Sequence, residues 1–277
     1  MNKYEMLYDD KIEMGGHTLY RIRALKDFFG AKAGDLGGYI EGESNLSHEG
    51  TCWVYDNARV CGDAYVCDNA YVCDNACVYG NACVYGNARV CDNAYVCDNA
   101  YVCDNACVYG NACVYGNARV CGNACVCGDA RVCGDARVCG DARVCDNAYV
   151  CDNACVYGNA RVCGDAYVYD NARVCGDARV CGDAYVYDNA RVCGDACVYD
   201  NAKINKISDV LCISPIGSRN DTTTFFKTKD GNICVKCGCF TDTIDKFLEA
   251  VSETHKDNKH AKAYKLACEL AKIQIGG

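Results

Sequence analysis

From Thr51 to Lys206 the apolar and polar positions repeat every six residues without a gap, making 26 words in 156 residues. The frame is Asn or Asp, Ala, a variable residue, Val, Cys or Tyr, then Asp or Gly. Valine holds the fourth position until Ile204 replaces it in the last word, and alanine holds the second except in the first, where Cys52 stands. In an extended chain neighbouring side chains point to opposite sides. Alanine and valine therefore share one face, and the third and fifth positions share the other. An interior of small and β-branched side chains fits a slim stacked core. Up to residue 201 the two residues between these runs are Asp-Asn, Gly-Asp or Gly-Asn, types that accept left-handed backbone at a corner. The pattern predicts a four-residue strand and a two-residue corner, repeated into a solenoid. Valine burial alone falls short of the conformational entropy lost on ordering each turn. Alanine packing, rung-to-rung hydrogen bonds and ladders of corner Asn and Asp are expected to supply the rest.

The flanks follow other periods, so the predicted organisation is an N-terminal β cap (1–50), the solenoid (51–206) and a C-terminal α+β module (207–277). "KYEMLYDD" and "HTLYRIRAL" read as strands around Gly15-Gly16, and Ile40 and Leu46, six apart, start the hexad rhythm. "TTTFFKTKDGNICVKCGCF" reads as two strands joined at Asp230-Gly231. "TDTIDKFLEAVSETH" is a predicted helix capped by Thr241 or Asp242, with Ile244, Phe247, Leu248 and Val251 on one face. "HAKAYKLACELAKIQI" is a second, with Tyr264, Ala267, Cys268 and Ala271 inward. Together these give a ββαα module.

An aliphatic residue followed four places later by a small one, as in Val60–Ala64 and Val66–Ala70, resembles the hexapeptide repeat of left-handed parallel β-helix proteins. The resemblance implies a mainly β, single-stranded left-handed parallel β-helix with three hexads per coil. The hexads then make about nine coils, a rod of roughly 40 Å at ~4.8 Å per rung. The run "ALKDFFGAKAGDLGGYIEGESNLSHEGTCWVYDNARV" is similar to the lead-in of uncharacterised hexapeptide-repeat proteins of bacteria and their prophages, often labelled polymer-forming cytoskeletal or transferase-like. The C-terminal module resembles those of phage-borne solenoids. A phage or prophage setting is what these likenesses imply.

Acids outnumber bases 37 to 28, giving a net charge of −9, which argues against a general nucleic-acid binder. The first 20 residues do not read as a signal peptide, and no apolar run approaches the ~20 residues of a membrane span. A cytoplasmic location, in a bacterial host cell or with a virion, is expected, where the 29 cysteines stay reduced.

Twenty-four cysteines lie in the hexads, 23 of them at outward positions. A soft-metal ladder would need uniform columns every 18 residues. The columns are mixed: the fifth position runs Tyr55, Cys73, Cys91, Tyr109, Cys127. Residues 57–86 recur as 87–116 with two adjacent changes, Asp92 for Gly62 and Asn93 for Asp63, and 30 is not a multiple of 18. Copying of words without regard to face is therefore the reading taken. Outside the hexads, Cys234, Cys237 and Cys239 resemble half a zinc knuckle; buried thiols are the reading taken, so no cofactor is expected, and a zinc site is the alternative.

Related β-helix acyltransferases use a histidine base on or beside the coils. The hexads contain none, and His48, the one histidine beside the first coil, reads as solvated. The expected function is a non-catalytic scaffold that self-associates or binds another protein through its faces or C-terminal module. Tyr71, Tyr101, Arg131, Arg137, Tyr167 and Tyr185 are the candidate contact residues, because Tyr and Arg dominate interface hot spots. Acyl transfer, an acidic phage decoy or ligand-sequestering protein, and a thiol-rich metal binder are the alternatives.

Overall fold

A computed structural model describes residues 2–276. The chain forms two compact units, 1–152 and 153–277, with the boundary inside the hexads.

In the first unit, β1 (Tyr4–Met14) and β2 (His17–Ala24) form an antiparallel hairpin around Gly15 and Gly16, both at positive φ. β1 is longer than predicted, because Lys11–Met14 resume the pairing after a register shift at Leu7. β3 (Leu36–Ile40) is antiparallel to β2 on one side and parallel to the strand of the second hexad, Arg59–Val60, on the other. Ile40 thus stacks on Val60, and Leu46 bridges Val66, as the six-residue rhythm of the lead-in predicted.

Each hexad contributes a strand of only two residues, its third and fourth, from Trp53–Val54 to Lys203–Ile204. Strands pair in parallel register with residues 18 away: Arg89 lies beside Tyr71 on one side and Cys107 on the other. Three hexads therefore make one turn, and the hexads make about nine turns of parallel β-solenoid. The predicted four-residue strands are shorter because the sixth residue turns left-handed, as Asp92 does at φ 61°. Three N–H groups per hexad still reach the next turn: Arg89 to Ala106 O at 2.9 Å, Cys91 to Val108 O at 3.0 Å and Asn93 to Gly110 O at 2.9 Å.

The alanines and valines of the hexads are fully buried, and the third- and fifth-position side chains face outward. At the corners Asn69 donates to Asn87 (3.3 Å), Asn87 to Asn105 and Asn105 to Asn123 (both 3.0 Å), and Asn123 to Asp141 (2.8 Å). The ladder ends there in the sense that a carboxylate accepts but has no proton to donate onward. Sixth-position aspartates tie rungs in another way: Asp98 Oδ2 accepts from Gly116 N–H at 3.0 Å. The outward Trp53 of the first hexad is buried by the N-terminal cap, with Tyr4 and Phe28 edge-on to its ring.

In the second unit the last hexads are followed by β4 (Val210–Ile216), β5 (Asp221–Lys227), β6 (Ile233–Cys237) and β7 (Phe240–Thr243), then α1 (Ile244–His255) and α2 (Lys259–Gly276). The predicted ββαα module is a four-stranded antiparallel sheet with two helices. β7 ends at Thr243, so Thr243 rather than Thr241 or Asp242 occupies the N-cap. One side of the sheet closes the last turn. Cys197 N–H donates to Thr224 Oγ1 at 3.0 Å, and Lys229 N–H to Asn201 O at 2.9 Å. The other side buries Phe225 and Val235 against Ile244, Phe247 and Val251 of α1 and Tyr264, Ala267, Cys268 and Ala271 of α2. Among the described residues no helix is long and apolar enough to cross a membrane.

Candidate interaction surface and thiol columns

The six candidate contact residues lie on three different faces and mostly pack along their own columns. In the first unit, Tyr71 sits against Tyr55 (ring centroids 5.7 Å apart), Arg119 lies over Tyr101 at 5.4 Å, and Arg131 over Tyr149 at 5.3 Å. Arg137 stands beside Arg119 on the adjacent rung. In the second unit Tyr167 and Tyr185 stack at 5.0 Å, with the Lys229 ammonium 4.3 Å from the Tyr185 ring. In the first unit Tyr71, Tyr101 and Arg131 belong to three different sheets, so the expected Tyr and Arg are present there but not gathered into one patch.

A more compact apolar surface lies on α2. Leu266, Leu270 and Ile273 are 66%, 47% and 73% exposed, on the side away from the buried Tyr264, Ala267, Cys268 and Ala271. Their spacing, i, i+4 and i+7, makes one stripe. Sequence reading took only the inner stripe of this helix. The signal for the second was there, since a single core-facing side cannot also hold positions 266, 270 and 273.

The three C-terminal cysteines are not brought together. Cys237 packs on the helix-covered core, its Sγ 3.5 Å from the Tyr264 hydroxyl. Cys234, three residues earlier on β6, alternates to the other side of the sheet, where burial pushes its thiol pKa up. Cys239 is exposed beyond the strand end. Among the described residues, the groups of potential metal ligands lie in the hexads instead.

The outward cysteines are more sheltered than their positions alone imply. Cys61 is buried beneath Leu19 and Tyr39 of the N-terminal cap, and burial pushes its thiol up to about 11. Cys77, Cys97 and Cys103 are buried as well. Where two fifth-position cysteines share a column, their sulfurs meet. A hydrogen bond between Cys73 and Cys91 pushes the first up and the second down, and Cys151 does the same to Cys133, holding it below the ordinary thiol range. The expectation that every cysteine is reduced needs one correction: Cys175 and Cys193 are joined in a disulfide. In-register rungs put their α-carbons 4.6 Å apart, inside the range such a bond accepts.

His48 is not solvated as expected. It is half-buried, stacked on Tyr4 at 4.3 Å, and its Nδ1 accepts from Lys3 N–H at 3.2 Å. His17 Nδ1 is 2.9 Å from Glu41 Oε1, and this bond holds the Glu41 carboxyl below its usual range. His17 also lines a groove of about 620 Å³ between the hairpin end and the first turns, with Arg59, Cys61, Cys77 and Tyr79.

A family model described as YdcK Beta solenoid repeat matches residues 130–146. No curated protein matches the chain. The matched segment, Ala130 to Asp146, lies wholly within the hexads, where strands pair in parallel with an 18-residue step. The short match and the pairing agree: the chain is a cysteine-rich β-solenoid repeat protein.

Proposed function

We propose that this protein is a non-catalytic scaffold built on its β-solenoid, whose C-terminal module is both a cap and an association head. The exposed stripe Leu266–Leu270–Ile273 carries this reading. The module's sheet already closes the last turn, so capping does not account for apolar side chains on the far side of its second helix. Removing such a stripe from water by pairing it with a second copy is favourable at roughly 25 cal/mol per Å². The Tyr and Arg side chains of the faces add a second, more polar contact surface. A phage or prophage setting and a cytoplasmic location go with this reading through the likeness of the flanking segments. Light scattering coupled to size-exclusion chromatography of the reduced protein tests it. A dimer or larger species is expected, converted to monomer by Leu266→Glu with Ile273→Glu; a wild-type monomer at high concentration overturns it.

One observation favours acyl transfer as a second reading. His17, oriented by Glu41, borders the groove of about 620 Å³ and offers the positioned base that the hexads lack. Thermal shift with acetyl-CoA separates the two, because stabilisation that His17→Ala abolishes would point to the enzyme.

A further inference from the structure

Cys73 and Cys91 stand on facing rungs, and Asp74 lies beside them, so that two sulfurs and a carboxylate oxygen are all within 4.8 Å of one another. Cys103, Asp104 and Cys121 repeat the arrangement. The second triad is the first shifted by 30 residues, which moves it to another face of the solenoid, yet the 18-residue step between its two cysteines is kept. The chemistry therefore depends on two turns being in register and not on which face they belong to.

Both carboxylates are anchored before any ion arrives. Asp74 Oδ2 accepts from Asp92 N–H at 3.2 Å and Asp104 Oδ2 from Gly122 N–H at 3.0 Å, each aspartate being at φ 60°. The left-handed corner and the inter-rung bond fix where the acid sits relative to the sulfurs above and below it. We propose that each triad binds a zinc-class divalent cation through two thiolates and one carboxylate. Two soft sulfurs and one hard oxygen suit a borderline ion; copper(I) favours all-sulfur sites, and calcium or magnesium all-oxygen ones. In a tetrahedral zinc site neighbouring ligand atoms lie about 3.5–3.8 Å apart, so modest rotation of the three side chains closes this one. The fourth position is left to water. Binding displaces one proton from each thiol to the solvent, two per ion, while the carboxylate binds already ionised.

The test is cadmium titration of the full-length protein, fully reduced with a phosphine, followed by the thiolate-to-cadmium charge-transfer band and by proton release in weak buffer. The Cys73→Ser, Cys91→Ser, Cys103→Ser, Cys121→Ser quadruple variant is expected to bind two fewer ions per chain than the wild type and to release correspondingly fewer protons. Asp74→Asn with Asp104→Asn keeps residues suited to the left-handed corner and is expected to weaken both sites about tenfold or more without losing the sulfur band. Zinc competing for the cadmium at the same stoichiometry supports the assignment. Equal binding by wild type and quadruple variant overturns it, as does a wild type that takes up no cadmium. If the quadruple variant misfolds by circular dichroism, the asparagine pair decides alone, and unchanged affinity there rejects the triads.

Discussion

The Lys3 ammonium donates to both ends of Cys52, to its carbonyl at 2.8 Å and its Sγ at 3.1 Å, with no solvent contact of its own. A third acceptor, the Glu49 carbonyl at 3.3 Å, completes its three donors. This explains the one break in the alanine column. The second position of the first hexad faces a buried cation, and a thiol accepts where a methyl group does not. Cys52→Ala is expected to lower stability by about 1–2 kcal/mol, the range for a buried charged donor losing one partner. Cys113→Ala, at an outward position, should stay within about 0.5 kcal/mol. Urea unfolding of the two variants side by side checks the contrast, and equal effects would refute the role given to Lys3.

The sixth position is where the left-handed corner is set. Asp98 holds φ 60° and its carboxylate ties down Gly116 N–H on the next turn. Asp98→Asn keeps both the acceptor and the tolerance of that backbone. Asp98→Gly keeps only the second, and Asp98→Ala keeps neither. The expected order of stability is Asn, then Gly, then Ala, the last about 1–3 kcal/mol below wild type, measured by chemical denaturation.

The solenoid was legible because each hexad states the same thing locally. Ala and Val face in, and Asp, Asn or Gly make the corners, so the burial of Val108 or Ala106 needs no long-range information. The C-terminal sheet was half legible for the opposite reason. β7 is Phe-Thr-Asp-Thr, a polar edge strand without its own alternation, held by pairing Cys237 with Phe240 and Cys234 with Thr243. β4 carries Pro215 and a register shift that hide its period. The thiol pairs were missed through a sound premise applied too strictly. Uniform columns are absent, but a metal or a disulfide needs only two adjacent rungs, and Cys73 with Cys91 or Cys175 with Cys193 already supply them.

Along the corner ladder Asn99 donates to Asn117 at 3.1 Å, and Asn117 to Asp135 at 2.9 Å. Asn117→Asp keeps the first bond but sets two carboxylates face to face in the second, where neither has a proton to give at neutral pH. A loss of about 1 kcal/mol is expected at low salt, smaller at high ionic strength. The sign with pH follows from repulsion raising the carboxyl pKa values in the folded state. The penalty is present at pH 7 and shrinks, relative to wild type at the same pH, as one carboxyl takes up a proton below about pH 5. A gap between variant and wild type that widens on acidification would contradict this.

Thiol reactivity should differ sharply between two cysteines that occupy the same fifth position of their hexads. Cys61 lies under Leu19 and Tyr39, and burial pushes its pKa up to about 11. Cys133 is held down, first by the hydrogen bond from Cys151 and with further help from the Tyr115 hydroxyl. The thiolate is the nucleophile, and its fraction rises through the pKa, so a lowered value moves the onset of alkylation to lower pH. In the reduced protein, pulse alkylation with iodoacetamide read by peptide mass spectrometry should give Cys133 a midpoint below the ordinary ~8.5, whereas the labelling of Cys61 should still be climbing at about pH 10. Cys151→Ser should return Cys133 toward that ordinary value, since a serine hydroxyl on the shorter side chain does not reproduce the sulfur pair. Coincident profiles for Cys133 and Cys61, or a Cys133 midpoint indifferent to Cys151, would show that facing rungs do not couple their sulfurs.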